Sequence, residues 1–293
     1  MKYSSIIFLL FCAEALGAPV PGGLFVWDIP EQAKEIRYKN KPILVIQNKA
    51  IIGIPISETP GQQTIAYKLN GNPRKETFEI LDKKYSEQHI TIKNKALVTP
   101  PPKELTRIQK ESRAQKSLYE SYSPPLKLDS GFIAPLKGTI TSLFGHRRFF
   151  NGQPRSPHSG LDIAAKSGTP IIAPALGNIV LAEELYFNGN TVFIDHGQGL
   201  ITMYCHMSEI LVSNGAQVQQ GTRIGLVGAT GRATGPHLHW SVSLNGYRVN
   251  PNTLVQAINT IVDADGVSYA TQRDVGLFGS IIADCVGAPL HIS

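Results

Sequence analysis

Two histidines stand one residue apart in "GATGRATGPHLHW", residues 228–240. On a strand, residues i and i+2 point the same way, so His237 and His239 would project together with Leu238 on the opposite face. Such a pair can hold a metal, or it can be a hydrogen-bonded pair on a turn-rich strand. Other stretches bear on the choice. "SPHSGLD" sets His158 four residues before Asp162, in a Pro/Gly-rich loop that enters a strand. "TMYCHMS" places His206 within a strand, on the face of Tyr204, with Cys205 expected as a small buried side chain on the other face. Six of the eight histidines lie between Gly131 and Val262. Zinc takes imidazole nitrogen and carboxylate oxygen, and a catalytic site keeps three protein ligands plus water. One aspartate and two histidines would meet that need. Two histidines would then remain for proton transfer, for which a pKa near neutrality suits them.

These residues need a scaffold, and the sequence predicts a mainly β one. From Gly131 onward short apolar runs follow one another: "GTITSLFG", "TPIIAPA", "GNIVLAEE", "NTVFIDHG", "LITMYCHMS", "TRIGLVG" and "HLHWSVSLNG". Glycines punctuate the junctions, and no helical stretch intervenes to serve as a βαβ crossover, so this region reads as all-β. It closes near "VNP", and "NTLVQAINT" reads as a short helix. Upstream, "KPILVIQNKAIIGIPIS" reads as a hairpin turning at "QNK", with "ETFEIL" and "HITIKN" as further strands. They suggest a small β-sandwich-like module. Between the two, three prolines at 100–102 stop a strand and can start a helix. Leu105, Ile108, Leu118 and Tyr122 are its sparse apolar members, and Pro124 and Pro125 end it. The expected organisation is therefore a leader over 1–17, an accessory β module over 18–99, a helical linker over 100–130, an all-β catalytic domain over 131–262 and an unassigned tail over 263–293.

At these residues the chain resembles the M23 family of zinc metallopeptidases, the lysostaphin-like or LytM domain. The resemblance rests on His158-x-x-x-Asp162, Tyr204-x-His206 and Gly235-Pro236-His237-x-His239, in that order, framed by "SGLDIAAKSGTPIIAPALGNIV" and "TRIGLVGATGRATGPHLHW". It covers about 131–255 strongly. The N-terminal part resembles, more loosely, the accessory region that precedes this domain in some exported members. The resemblance implies one zinc per chain on His158, Asp162 and His239, with His206 and His237 flanking the activated water and the substrate carbonyl. It implies hydrolysis of peptide cross-links in bacterial peptidoglycan, with stem peptides as the partner. A D-alanyl–diaminopimelate bond is the expected target, since no glycine-bridge targeting module is evident. The alternative is a non-enzymatic LytM module that recruits or activates another wall hydrolase. Such modules lack zinc ligands, and this chain retains all five site residues. The glycines of "GATGRATG" are expected to let backbone approach an extended substrate closely.

The remaining polar residues have plainer readings. His146 and His196, beside glycines, read as turn residues, Asp195 as structural, and His89 and His291 as incidental. Arg147, Arg148 and Arg155 surround the loop before His158; they could be solvated or could meet stem-peptide carboxylates. Tyr204 could hydrogen-bond near the site or pack. "MKYSSIIFLLFCAEALGAP" reads as a secretory signal cleaved after Gly17, with Lys2 at its start and "IIFLLF" as its core; lipidation at Cys12 is disfavoured by Phe11. The expected location is the periplasm or cell envelope, and no later run is apolar enough to span a bilayer. Residues 18–130 carry 18 Lys/Arg against 12 Asp/Glu, whereas 131–293 carry 9 of each. That excess could dock the protein on an anionic wall. Basic–aromatic interleaving of the nucleic-acid kind is missing. The N-terminal module has no chemistry of its own, so docking and covering the cleft are its two candidate roles. Covering is the favoured one.

Overall fold

A computed structural model describes residues 19–128 and 130–264. The expected signal segment with Cys12, nearly all of the expected tail, and His291 lie outside the described residues. The scaffold is mainly β. Its centre is an eight-stranded antiparallel sheet. In spatial order the strands are Gln217–Val218, Gly177–Leu185, Gly189–Asp195, Ile201–Met207, His237–Leu244, Gly160–Ala164 and Thr139–Ser142. Tyr247–Val249 adds a hairpin partner to His237–Leu244. A smaller sheet of Pro170–Ile172, Arg223–Leu226 and Glu209–Ile210 packs beside it. One face of the central sheet is apolar through Leu161, Ile163, Tyr204, Leu238, Trp240 and Val242, all fully or almost fully buried. The other face carries Asp162, Cys205 and His239, because Asp162 and Cys205 both pair with His239 in register. Alternation along each strand thus sends the apolar set one way and the polar set the other.

The N-terminal module is two small sheets around one core. Leu24–Asp28, Lys49–Gly53 and Leu44–Ile46 form the first; Lys41–Pro42, Ala33–Tyr38, Gly61–Leu69 and Asn72–Ile80 form the second. The expected hairpin turns at Gln47, which takes a left-handed conformation. Strand Lys49–Gly53 is buried on both faces. Ala50 and Ile52 face the module's own core, with Tyr38, Ile65 and Phe78. Ile51 joins Leu24, Leu44 and Ile46 in the core of the larger, C-terminal β region. Asn245 seals the junction by accepting from the Gly53 amide at 2.7 Å and donating to its carbonyl at 3.1 Å. The module is therefore fused to the domain through shared apolar surface.

Two expectations need correction here. "HITIKN" was expected to be a strand of the module. Instead the strand is Glu87–Ile90, and it pairs in parallel with Arg147–Phe150 beside the catalytic sheet. Its backbone partner is distant in sequence, so no local pattern could announce it. The helix, Pro102–Glu120, starts with proline at its first turn as expected. However, Leu105 and Tyr122 are exposed, while Tyr119 is buried against Phe193. Glu111 accepts the Tyr186 amide at 2.8 Å, so polar residues also hold the helix down. The C-terminal helix runs over Pro251–Ala264 and buries Leu254, Ile258 and Ile261. Among the described residues no helix is long and apolar enough to cross a membrane.

Candidate metal centre and peptide cleft

Three donor atoms converge at the centre of the polar face. His158 Nε2 lies 2.9 Å from Asp162 Oδ1 and 3.0 Å from His239 Nδ1, and His239 Nδ1 lies 2.7 Å from Asp162 Oδ1. All three residues are buried. Asp162 and His239 are cross-strand partners, and His158 enters from the loop that precedes strand Gly160–Ala164. Glycine at 160 is required for this approach. A Cβ there would stand 2.3 Å from the Trp240 carbonyl oxygen and 3.0 Å from the His239 ring, contacts that real side chains do not tolerate.

Hydrogen bonds from outside the triad aim His158 and Asp162. His158 Nδ1 donates to the Leu143 carbonyl at 2.7 Å, which leaves Nε2 with a free lone pair for the centre. Asp162 presents Oδ1 to the histidines, while Oδ2 accepts from Arg148 Nη2 at 2.5 Å. Gln88, from the N-terminal side, accepts from both Arg148 Nε and Ser142 Oγ at 3.0 Å. Burial would raise the Asp162 carboxyl, but hydrogen bonds and charge from His158 and His239 outweigh it and hold it well below its ordinary value. Burial pushes the His239 imidazole down to about 4 against the attraction of Asp162.

His206 and His237 face one another beside this triad, ring centroids 4.8 Å apart. Each donates Nδ1–H to a backbone carbonyl at 2.8 Å, His206 to Thr230 and His237 to Gly235. A carbonyl can only accept, so Nε2 of each neutral ring carries the lone pair. His237 Nε2 points inward, 4.0 Å from Asp162 Oδ1. Burial, then His237 and His239, push the His206 imidazole down to about 3, so it is neutral at pH 7.

The route by which His206 reaches the site differs from the expected one. Simple alternation would place it with Tyr204 on the apolar face. Strand Ile201–Met207 instead slips register against its neighbour between Val192 and Asn190, and His206 takes φ 63°. This bulge turns it to the polar face, where Met203, Cys205, His206 and His239 line one cavity. Cys205 is buried as expected but shares that face with His206. Tyr204 does not reach the cleft. It is fully buried and its hydroxyl donates to Thr202 at 2.9 Å.

The three arginines also separate. Arg147 is exposed and pairs with Glu87. Arg148 buttresses Asp162. Arg155 lines the cleft, donating to the Val98 carbonyl at 2.8 Å and to Gln153 at 2.6 Å. Arg232 was not anticipated, although it is the one charged residue in "GATGRATG". It lies between Phe187 and Phe150, 4.4 and 4.8 Å from their ring centroids, and donates to the Leu97 carbonyl. Most glycines of that loop do not face the cleft. A Cβ at Gly228 would meet the Ser208 backbone, and one at Gly231 the backbone of Gly189 and Phe187; only Gly235 opens onto free space. Their task is to seat the loop that holds His206. His196 is a buried core residue bonded to the Leu176 carbonyl and Thr202, and His146 is no member of the triad. His89 stacks on Phe149 at the surface.

The N-terminal half walls the cleft. A cavity of about 390 Å³ on one side of the centre is lined by Gln88, Ile90 and Ile92 together with His237. A second, of about 570 Å³, is lined by Val98, Pro100 and helix residues Ser112, Gln115 and Tyr119 together with His158 and His239. Ile92 and Val98 clasp Phe150 in a small apolar cluster of their own. Asn151 fixes Ile92 from both sides, accepting its amide and donating to its carbonyl.

Comparison with known proteins agrees with this geometry. The profile of Peptidase family M23 matches residues 156–251, and that of the Peptidase family M23 N-terminal domain matches 17–83. The four site histidines and the aspartate fall inside the first match, and the cleft-lining segment 87–100 falls between the two. A solved structure of an M23 peptidase from Pseudomonas aeruginosa is 39% identical, covers 83% of this chain and 98% of that one, and has a TM-score of 0.69. The DD-carboxypeptidase/endopeptidase Mpg of Neisseria meningitidis is 37% identical over 57% of this chain and 39% of its own length. The peptidoglycan DD-endopeptidase ShyA of Vibrio cholerae is 44% identical over 39% of this chain and 27% of its own length. The chain thus spans about two-fifths or less of the length of these curated relatives. On its fold, its ordered motifs and its likeness to the Pseudomonas structure, the chain belongs to peptidase family M23.

Proposed function

We propose that the protein is an exported zinc endopeptidase that cuts peptide cross-links of bacterial peptidoglycan and that its own N-terminal half holds it latent. The observation that carries the reading is the convergence of His158 Nε2, Asp162 Oδ1 and His239 Nδ1 on one point, with His206 and His237 beside it. The donor set fits zinc. It is two imidazoles and one carboxylate, with His158 and Asp162 each aimed by a further bond, and three protein donors leave a fourth position for water. Tetrahedral zinc with bonds of roughly 2.0–2.1 Å holds donors about 3.3 Å apart, slightly wider than the 2.7–3.0 Å seen among these atoms.

Zinc, when bound, supplies Lewis acidity that brings the pKa of water to about 7. The chain's own residues do the rest. Asp162 and the Nε2 atoms of His206 and His237 face the same space. One of the two histidines takes the proton of the attacking water; the other can support the carbonyl oxygen as negative charge develops on it only as an imidazolium, with a proton on Nε2 as well as on Nδ1. The proton then passes to the departing amine. A neutral ring with a free Nε2 is the state a base requires. The relatives named as DD-endopeptidases support the substrate class and, because peptidoglycan lies outside the cytoplasm, an exported location. Latency is supported by Ile92, Val98 and Pro100, which line the cavities on either side of the triad. Digestion of purified sacculi by the zinc-loaded protein, with products identified by mass, tests the reading. Cross-linked dimers should disappear as monomers form. Intact dimers after prolonged digestion, by both the full chain and a variant with a loosened cover, would overturn it.

A further inference from the structure

Arg155 and Arg232 line the larger cavity beside His206 and His239. Both are partly or largely buried. Among the described residues no carboxylate lines this cavity, and Asp162, which lines the neighbouring one, is taken by Arg148. Arg155 and Arg232 meet only neutral acceptors, the carbonyls of Val98 and Leu97 and the side chain of Gln153. Arg155 Nε is buried with no acceptor at all. Burial and the nearby charges of Arg155 and Arg148 push the Arg232 guanidinium down to about 10. Burying like charges together without a counter-charge is unfavourable. Aromatic rings on Arg232 and the fixed fork of a guanidinium preorganise the pair for a planar anion.

We propose that Arg155 and Arg232 form a carboxylate subsite of the peptide groove, which takes a free carboxylate of the substrate close to the scissile bond. The carbonyls of Leu97 and Val98 stand in that subsite in this structure, as neutral substitutes for the anion. The proposal rests on the endopeptidase reading and sharpens it. The substrate class is a cross-linked stem peptide whose diamino acid keeps its carboxylate, in preference to one carrying the amide.

The test compares two soluble cross-linked dimers, identical except that the diamino acid carboxyl is free in one and amidated in the other. Hydrogen bonds to a charged group contribute about 1.5–3 kcal/mol, or roughly 10- to 100-fold. Zinc-loaded full-length protein should therefore prefer the free acid by about that factor in kcat/KM. Arg232→Gln and Arg155→Gln should each lower the preference by about 10-fold, and Arg232→Lys, which keeps the charge but not the fork, by less. The ratio is the readout because loosening the Leu97–Val98 segment changes both rates alike. Dissociation constants for the two dimers on His206→Ala should show the same preference without turnover. Equal rates and equal affinities for the two dimers would overturn the subsite while leaving the endopeptidase reading intact. Binding with the expected preference but no cleavage of either dimer, by the wild type or by the loosened-cover variant Ile92→Ala, would instead overturn the endopeptidase reading. A full preference kept by both Gln variants would remove the two arginines.

Discussion

Ile92→Ala is the sharpest probe of latency. Ile92 is 6% exposed and packs with Val98 and Phe150 in a cluster separate from the main cores. Removing a buried isoleucine side chain to alanine costs about 2–5 kcal/mol, and a small satellite cluster near the surface belongs at the low end. Its backbone bonds to Asn151 survive the change. A loss of about 2 kcal/mol falls on the covered state alone, because an opened segment no longer makes the contact. At 1.4 kcal/mol per decade, the open fraction should rise about 30-fold until opening is complete. Initial rates on a soluble cross-linked dimer read that fraction without wall docking. The variant should turn over up to about 30-fold faster at equal zinc content. Its thermal midpoint should change little, since the opening is local and Ile92 lies outside the shared core. An unchanged or slower rate with normal zinc content would refute the covering argument.

The centre itself yields further expectations. His158→Ala and Asp162→Ala should lose zinc and activity together, and stoichiometric zinc in either variant by elemental analysis would remove that ligand. His206→Ala and His237→Ala should retain most of their zinc and lose about 10²-fold or more in kcat; near-normal turnover excludes the residue from proton transfer. Gly160→Ala should displace strand His237–Leu244 and weaken zinc binding, as titration against a competing chelator would show, because its Cβ meets the Trp240 carbonyl; wild-type affinity would show that the backbone yields cheaply. Away from the centre, burial holds His196 at about 4, below its unfolded value of about 6.5. The unfolded chain thus binds the extra proton between those values. The stability tied to a neutral His196 is complete above pH 6.5, and about 3 kcal/mol is lost as pH falls to 4. His196→Gln should flatten that part of the wild-type stability profile, and parallel profiles would show that the ring is not the titrating group.

The candidate donor residues stood out because their signals are local, and the family resemblance sorted them into a proposed ligand set. His158 and Asp162 sit four apart at a strand entrance, and a strand's period of two puts His237 and His239 on one face. The strands of the central sheet were legible for a similar reason, since glycine-rich turns divide the apolar runs. What escaped depends on partners distant in sequence. His206 looked like a companion of Tyr204 because a bulge leaves no mark on residue types. Glu87–Ile90 looked like part of the module because its partner strand lies some sixty residues on. The buttressing role of Arg148 and the placement of Arg232 went unread because their positions come from Asp162, Phe150 and Phe187. Tyr119 was overlooked in a charged helix because its burial comes from Phe193, on the far side of the linker.

Strand Lys49–Gly53, apolar on both faces, has a mechanical consequence. Ile51 and its neighbours complete the catalytic domain's core, so the accessory module is a fixed post rather than a swinging door. Deleting it would strip apolar surface from the enzyme. The stretch between strand Asn72–Ile80 and helix Pro102–Glu120 is then a strap held at both ends. Leu81 is tied to Pro19 at 2.9 Å and the helix to Tyr186. Such a strap always rebinds from a high effective concentration, whatever the protein's dilution. A single cut within it frees the two ends and abolishes that advantage without touching the core. Nicking, rather than dilution or domain removal, is the perturbation that this architecture would convert into lasting release.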